Sequence, residues 1–124
     1  MIYLLDTQVI VWLATERRRI SDAVIETLAD PGATRAISVV SGWEYGQTRL
    51  MRPEQLPRSF DRLVAQMGAE TLDFEFALHS YAESLPPIHR DPFDRLLIAQ
   101  ALHHDMTLVT ADETIRRYPV RTLW

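Results

Sequence analysis

A chain of 124 residues, 47% of them hydrophobic, is long enough for one packed domain and too apolar for wholesale disorder. It has no cysteine, which excludes disulfides, thiol nucleophiles and cysteine zinc sites together. The net charge is −4 and all 13 Lys-plus-Arg positions are arginine, which argues against a basic surface over the whole molecule but leaves room for local phosphate contacts.

Ile2 to Leu5 read as a short buried strand ending at Asp6. The helically spaced run Thr7 to Ala14 follows, with Asp6 as its candidate N-cap. This apolar N-terminus carries an acid and lacks the basic start of a secretory signal. No run is long enough to cross a bilayer, so a soluble, cytoplasmic protein with no membrane partner is expected. Arg17 to Arg19 form a polar connection. Ser21 caps a second helix that Pro31-Gly32 stops. Ala36 to Val40 predict a second strand. A helix is expected from Ser41 to Met51, with Glu44 in its first turn. Pro53 and Pro57 punctuate a loop, and Ser59 to Met67 predict a helix with Gly68 as its C-cap. Thr71 to Phe74 read as a short strand, and Glu75 to Leu85 as a helix halted by Pro86-Pro87.

The stretch His89 to Asp112 is the most informative. Asp91 before Pro92 has the pattern of an N-cap with proline at the first helical position, and Asp94 falls two residues later. An amphipathic helix leads into the strand TLVT, which runs on to Asp112. Glu113 to Tyr118 predict a short helix, and Val120 to Leu123 an edge strand. Strands alternating with helices imply a mostly parallel sheet covered on both faces, in a single domain spanning 1–124.

Taken singly, each acid has an ordinary role at a helix start. Together they say more. Asp6 and Asp112 follow strands of one parallel sheet, and Glu44 and Asp94 lie near the starts of helices beginning at the same edge, so four carboxylates should meet in the crevice there. Two like charges about 5 Å apart repel by roughly 3 kcal/mol at an effective dielectric of about 20. Such a cluster must gain a proton or a cation, and a carboxylate-rich, cysteine-free site suits Mg²⁺ or Mn²⁺. Thr7, Ser41 and Thr110 adjoin the acids as candidate supporting donors, and Arg95 is placed to pair with an acid or a substrate phosphate. Arg90, Arg116 and Arg117 are further candidates for a phosphate-binding rim. His103-His104 lack the spacing of a helical zinc motif, and His89 lies close to the acids, where it could orient a phosphate, but reads first as a loop histidine.

At these residues the sequence resembles the PIN-domain ribonucleases, specifically the VapC-type toxins of bacterial type II toxin–antitoxin systems. The motifs that carry the likeness are LLDTQVIVWL at 4–13, ISVVSGWEYGQ at 37–47, HRDPFDRLLIAQAL at 89–102 and LVTAD at 108–112. The resemblance implies a PIN-like three-layer αβα fold with a mostly parallel central sheet. It maps the family's acidic quartet onto Asp6, Glu44, Asp94 and Asp112, as catalytic and metal-holding residues. It further implies an Mg²⁺- or Mn²⁺-dependent endoribonuclease that cleaves a structured RNA with a metal-activated water. Such a protein is commonly a homodimer, silenced by a cognate VapB-type antitoxin across the acidic groove. Two other readings share some of these features. One is a phosphoacceptor or phosphatase-type Mg²⁺ domain, which wants a lysine this chain does not have. The other is a non-catalytic PIN-like binding module, which has no need of four converging charges.

Overall fold

The computed structural model describes residues 1–124. Its strands are β1 (Ile2–Leu5), β2 (Thr34–Ser38), β3 (Glu70–Leu72), β4 (Thr107–Val109) and β5 (Thr122–Leu123). Its helices are α1 (Thr7–Thr15), α2 (Asp22–Ala29), α3 (Val39–Met51), α4 (Phe60–Met67), α5 (Leu78–Ser84) and α6 (Pro92–His103), with 3₁₀ turns at Arg17–Arg19 and Ile115–Arg117. The five strands form one sheet in the order β3-β2-β1-β4-β5, and every pair is parallel. The short strands β3 and β5 stand at the two edges.

Strand side chains alternate between faces, and the central strands are apolar on both. Leu4, Ala36 and Leu108 enter one core cluster with residues of α5 and α6. Their neighbours Leu5, Ile37 and Val109 enter the other, with Val9 and Ile10 of α1 and Val24 and Leu28 of α2. The sheet is therefore the middle of three layers. Each fully buried leucine contributes about 1.5–3 kcal/mol by leaving water. No helix is long and apolar enough to cross a membrane.

From β1 the chain crosses to β2 and β3 on one side, and later to β4 and β5 on the other. The strand order thus reverses between β1 and β4. The crevice beyond the C-terminal ends of those two strands is where sheets of this kind hold ligands.

Several local expectations shift. β2 ends at Ser38, and α3 begins at Val39 rather than Ser41. Ser38 Oγ accepts the N–H of Val40, so a serine N-cap outweighs the strand propensity of two valines. Glu44 consequently lies in the second turn of α3, not the first. β3 stops at Leu72, and Phe74 leaves the sheet to pack against the half-exposed Trp43, 6.5 Å between ring centres. The helix expected over Glu75–Leu85 is confined to Leu78–Ser84. The helix expected over Glu113–Tyr118 tightens to one 3₁₀ turn. Gly68 ends α4 at φ 57°, in the left-handed conformation that glycine adopts without strain.

Candidate active site

Asp6 is the first residue past β1. Its backbone N–H bonds to the carbonyl of Val109, which ties the ends of β1 and β4 together. Asp94 sits in the first turn of α6, aimed by a cap: Asp91 Oδ1 accepts the N–H groups of Phe93 (2.8 Å) and Asp94 (3.4 Å), and Pro92 occupies the start of the helix. Glu44 arrives from α3. Oxygens of Asp6, Glu44 and Asp94 lie within 4.8 Å of one another.

Asp112 joins from the side. Its Oδ2 lies 2.8 Å from His89 Nε2, which is 3.0 Å from Asp94 Oδ2. Its Oδ1 accepts the N–H of Thr114 at 2.8 Å. The expected quartet is therefore a compact trio with Asp112 beside it, joined through His89. That histidine stays in its loop, but its half-buried side chain, 13% exposed, is held between two of the acids. The signal available in the sequence was its position two residues before the helix cap.

Thr110 is buried and bridges two of the acids. Its hydroxyl donates to Asp6 Oδ2 at 2.7 Å and accepts the N–H of Asp112 at 3.0 Å. The hydroxyls of Thr7 and Ser41, both buried, are hydrogen bonded at 2.9 Å. Because a hydroxyl can donate and accept, Ser41 can donate to Thr7 and leave the Thr7 hydrogen for Glu44. Arg95 departs from expectation. Its guanidinium turns away from the acids, donating to the carbonyls of Ala82, Leu85 and Pro86 at 2.8–2.9 Å and to Tyr118 Oη at 3.1 Å. It closes the C-terminal end of α5 and fastens the following loop, and it pairs with none of the acids.

The electrostatics match a site built for a cation. Burial raises the pKa of Asp6, with the Asp112 charge adding to it and the Thr110 hydrogen bond opposing it. Burial also raises Glu44, against a hydrogen bond from Thr7 and with the charges of Asp91 and Asp6. Asp94 is pushed from 3.8 up to about 8 by burial and then by Asp6, Asp91, Glu44 and Asp112. Burial would raise Asp112 too, but hydrogen bonds from His89 and Thr114 outweigh it and hold this carboxyl below its usual value. Glu44 Oε1 is buried with no hydrogen-bond partner at all. An orphaned buried oxygen carries a desolvation penalty that a bound cation removes. Hard oxygen donors of this number suit a divalent ion.

The acids open into a cleft of about 950 Å³ that also takes in Trp12, Glu16, Tyr45, Thr48 and Arg52. Arg52 is the one cation lining it; the arginines expected at the rim, Arg90, Arg116 and Arg117, do not. Another group with metal-ligand spacing, Glu75 with His103 and His104, lies on the surface at the opposite end of α6.

The sequence profile of the PIN domain family matches residues 3–120. The chain belongs to the PIN domain family. This PIN domain is similar to a chain of the VapBC2 complex of Rickettsia felis bound to a DNA fragment from its promoter, at 25% identity and TM-score 0.74, over 99% of this chain and 98% of that one. It is also similar to chains of VapBC-1 from nontypeable Haemophilus influenzae (18%, TM-score 0.66, 99% and 97%) and of a toxin–antitoxin complex from Klebsiella pneumoniae (19%, TM-score 0.69, 98% and 96%), likenesses that speak to the fold alone. Comparison with curated proteins returns no match. The family match and the VapBC likeness together support a VapC-type PIN toxin.

Proposed function

We propose that this PIN domain, a single domain over 1–124, is the endoribonuclease toxin of a type II toxin–antitoxin pair, dependent on Mg²⁺ or Mn²⁺ and cutting a structured RNA. The observation that carries the reading is the trio of carboxylates at the sheet's reversal point, Asp6 and Asp94 buried and Glu44 half-buried, with Glu44 Oε1 unpartnered and the Asp94 carboxyl held up to about 8. Asp6, Glu44 and Asp94 would hold the ion, with Asp112 beside them. When bound, a divalent ion supplies the positive charge that polarises a scissile phosphate and lowers the pKa of an attacking water.

The residues do the rest. Asp94 carries a proton near neutral pH and releases it as the ion is taken up. Thr110 holds Asp6 and Asp112 at fixed separation, and Thr7 with Ser41 orients Glu44. The charged form of Asp112 is favoured before any ion arrives, which suits it to orient the water as a hydrogen-bond acceptor. The bare cleft repels a phosphate backbone, so ion uptake precedes productive RNA binding. The same acidity suits a basic segment of a cognate VapB-type antitoxin, in keeping with the VapBC complexes the fold resembles. A homodimer in the cytoplasm completes the proposal.

Purified protein is incubated with a loop-bearing RNA and Mn²⁺. The expected products carry 5′-phosphate and 3′-hydroxyl ends, and Asp6→Asn and Asp94→Asn should each be inactive while folded. Metal-dependent cleavage retained by both variants would refute the site.

A further inference from the structure

We infer that His89 is a positioning residue that clamps Asp112 through its Nε2–H, and is not a ligand of the ion; this rests on the metal-dependent reading above. Proximity alone suggests the opposite. His89, Asp94 and Asp112 bring one ligand atom each within 4.8 Å, and an imidazole with two carboxylates is a set transition metals accept.

The other ring nitrogen decides the matter. The backbone N–H of Asp91 donates to His89 Nδ1 at 3.1 Å. An amide nitrogen of the main chain has only a hydrogen to offer, so Nδ1 must present its lone pair. A neutral imidazole carries one N–H, which then sits on Nε2 and points at Asp112 Oδ2, 2.8 Å away. Coordination through Nε2 would move that hydrogen to Nδ1, where it would face the Asp91 N–H head-on. Histidines that ligate metals do the reverse, donating their second N–H to a carbonyl or carboxylate.

The backbone around the ring leaves little room to rearrange. The N–H of His89 donates to Tyr118 Oη at 2.8 Å, and that phenol is itself fixed by Pro86 and Arg95. On the other side, the Asp91 carboxylate caps α6. One residue therefore sets the histidine's tautomer with its main chain and aims Asp94 with its side chain. With Oδ2 held by His89 and Oδ1 by Thr114, Asp112 is locked in orientation beside Asp6, Glu44 and Asp94, so that its fixed charge supports the ion those three hold while His89 itself supplies no ligand.

Long-range ¹H–¹⁵N spectra of the ¹⁵N-histidine-labelled full chain test this directly. The expected pattern for His89 is a protonated Nε2 and a bare Nδ1, unchanged on addition of Mg²⁺. A bare Nε2, with or without Mg²⁺, overturns the inference. This readout in metal-free protein is independent of whether the chain cleaves RNA. Calorimetric titration with Mn²⁺ gives the second arm. His89→Ala should weaken binding about tenfold or more, as loss of an orienting partner does. His89→Gln, whose amide can donate from near the Nε2 position, should recover most of it. Equal loss in both variants, or no loss in His89→Ala, overturns the clamp.

Discussion

Asp94→Asn should stabilise the metal-free protein at the pH where it destroys the site. Asp94 has a folded-state pKa of about 8 against 3.8 for the free side chain. Between those values the folded chain binds more protons than the unfolded one, so stability is complete below pH 4 and lost as pH rises towards 8. Each pH unit in that window costs about 1.36 kcal/mol per group, so the three units from pH 5 to pH 8 set a ceiling of about 4 kcal/mol for Asp94 alone. Asp6 and Glu44 are raised as well and push the same way. Asp112 is lowered, so its contribution is gained as pH rises past about 4 and is already complete at pH 5. Asparagine keeps the shape and cannot ionise. Urea unfolding in EDTA should therefore put the variant ahead by no more than about 2 kcal/mol at pH 5. Between pH 5 and pH 8 that advantage should grow by about 2–4 kcal/mol, the lower figure allowing for relaxation of the remaining charges. With Mn²⁺ at 100 times its Kd the native protein gains about 2.7 kcal/mol, and the variant gains little. A variant less stable than the native chain at pH 8 in EDTA, or one losing as much stability between pH 5 and 8, refutes the account of a charge-strained cluster.

Thr110→Val removes the hydroxyl shared by Asp6 and Asp112 at constant volume, and calorimetry should show Mn²⁺ affinity falling by about ten- to a hundredfold. Arg95→Ala loses four hydrogen bonds from one guanidinium. It should cost about 3 kcal/mol in urea unfolding, and the RNA-cleavage rate per folded molecule should stay within about twofold. Asp91→Ala should lower stability by about 1 kcal/mol through loss of the α6 cap, and Asp91→Ser should restore it, as thermal melts in EDTA will show.

The parallel sheet and its functional edge were legible because both rest on local pattern. IYLL and TLVT are too short and too apolar for surface helices, and each is followed closely by an acid. Once such strands lie parallel, their acids share an edge whatever the helices do. What was not legible depended on side-chain competition. Ser38 and Ser41 are equally good helix starters by type, and only the Val40 N–H bonded to Ser38 separates them. Moving the helix start by two residues leaves Glu44 in the cleft, because it still stands within the first two turns of α3. The site therefore tolerates an error in element boundaries.

It is His89, and not the expected Arg95, that meets the acids, and helix geometry explains why. Successive residues of an α-helix are rotated by about 100°, so Asp94 and Arg95 cannot face the same way. With Asp94 turned to the crevice, Arg95 is carried round towards α5, where the carbonyls of Ala82 and Leu85 at the end of that helix accept its donors. A cation next to a catalytic acid in the sequence is thus a poor candidate for the same site when both lie on a helix. His89 precedes the helix and is free of that rotation. It is brought back over the acids by the turn that ends in the Asp91 cap, and by the Tyr118 hydroxyl that receives its N–H. In this PIN domain the loop residue approaches the cluster, and the helical neighbour of the acid holds the scaffold that lets it.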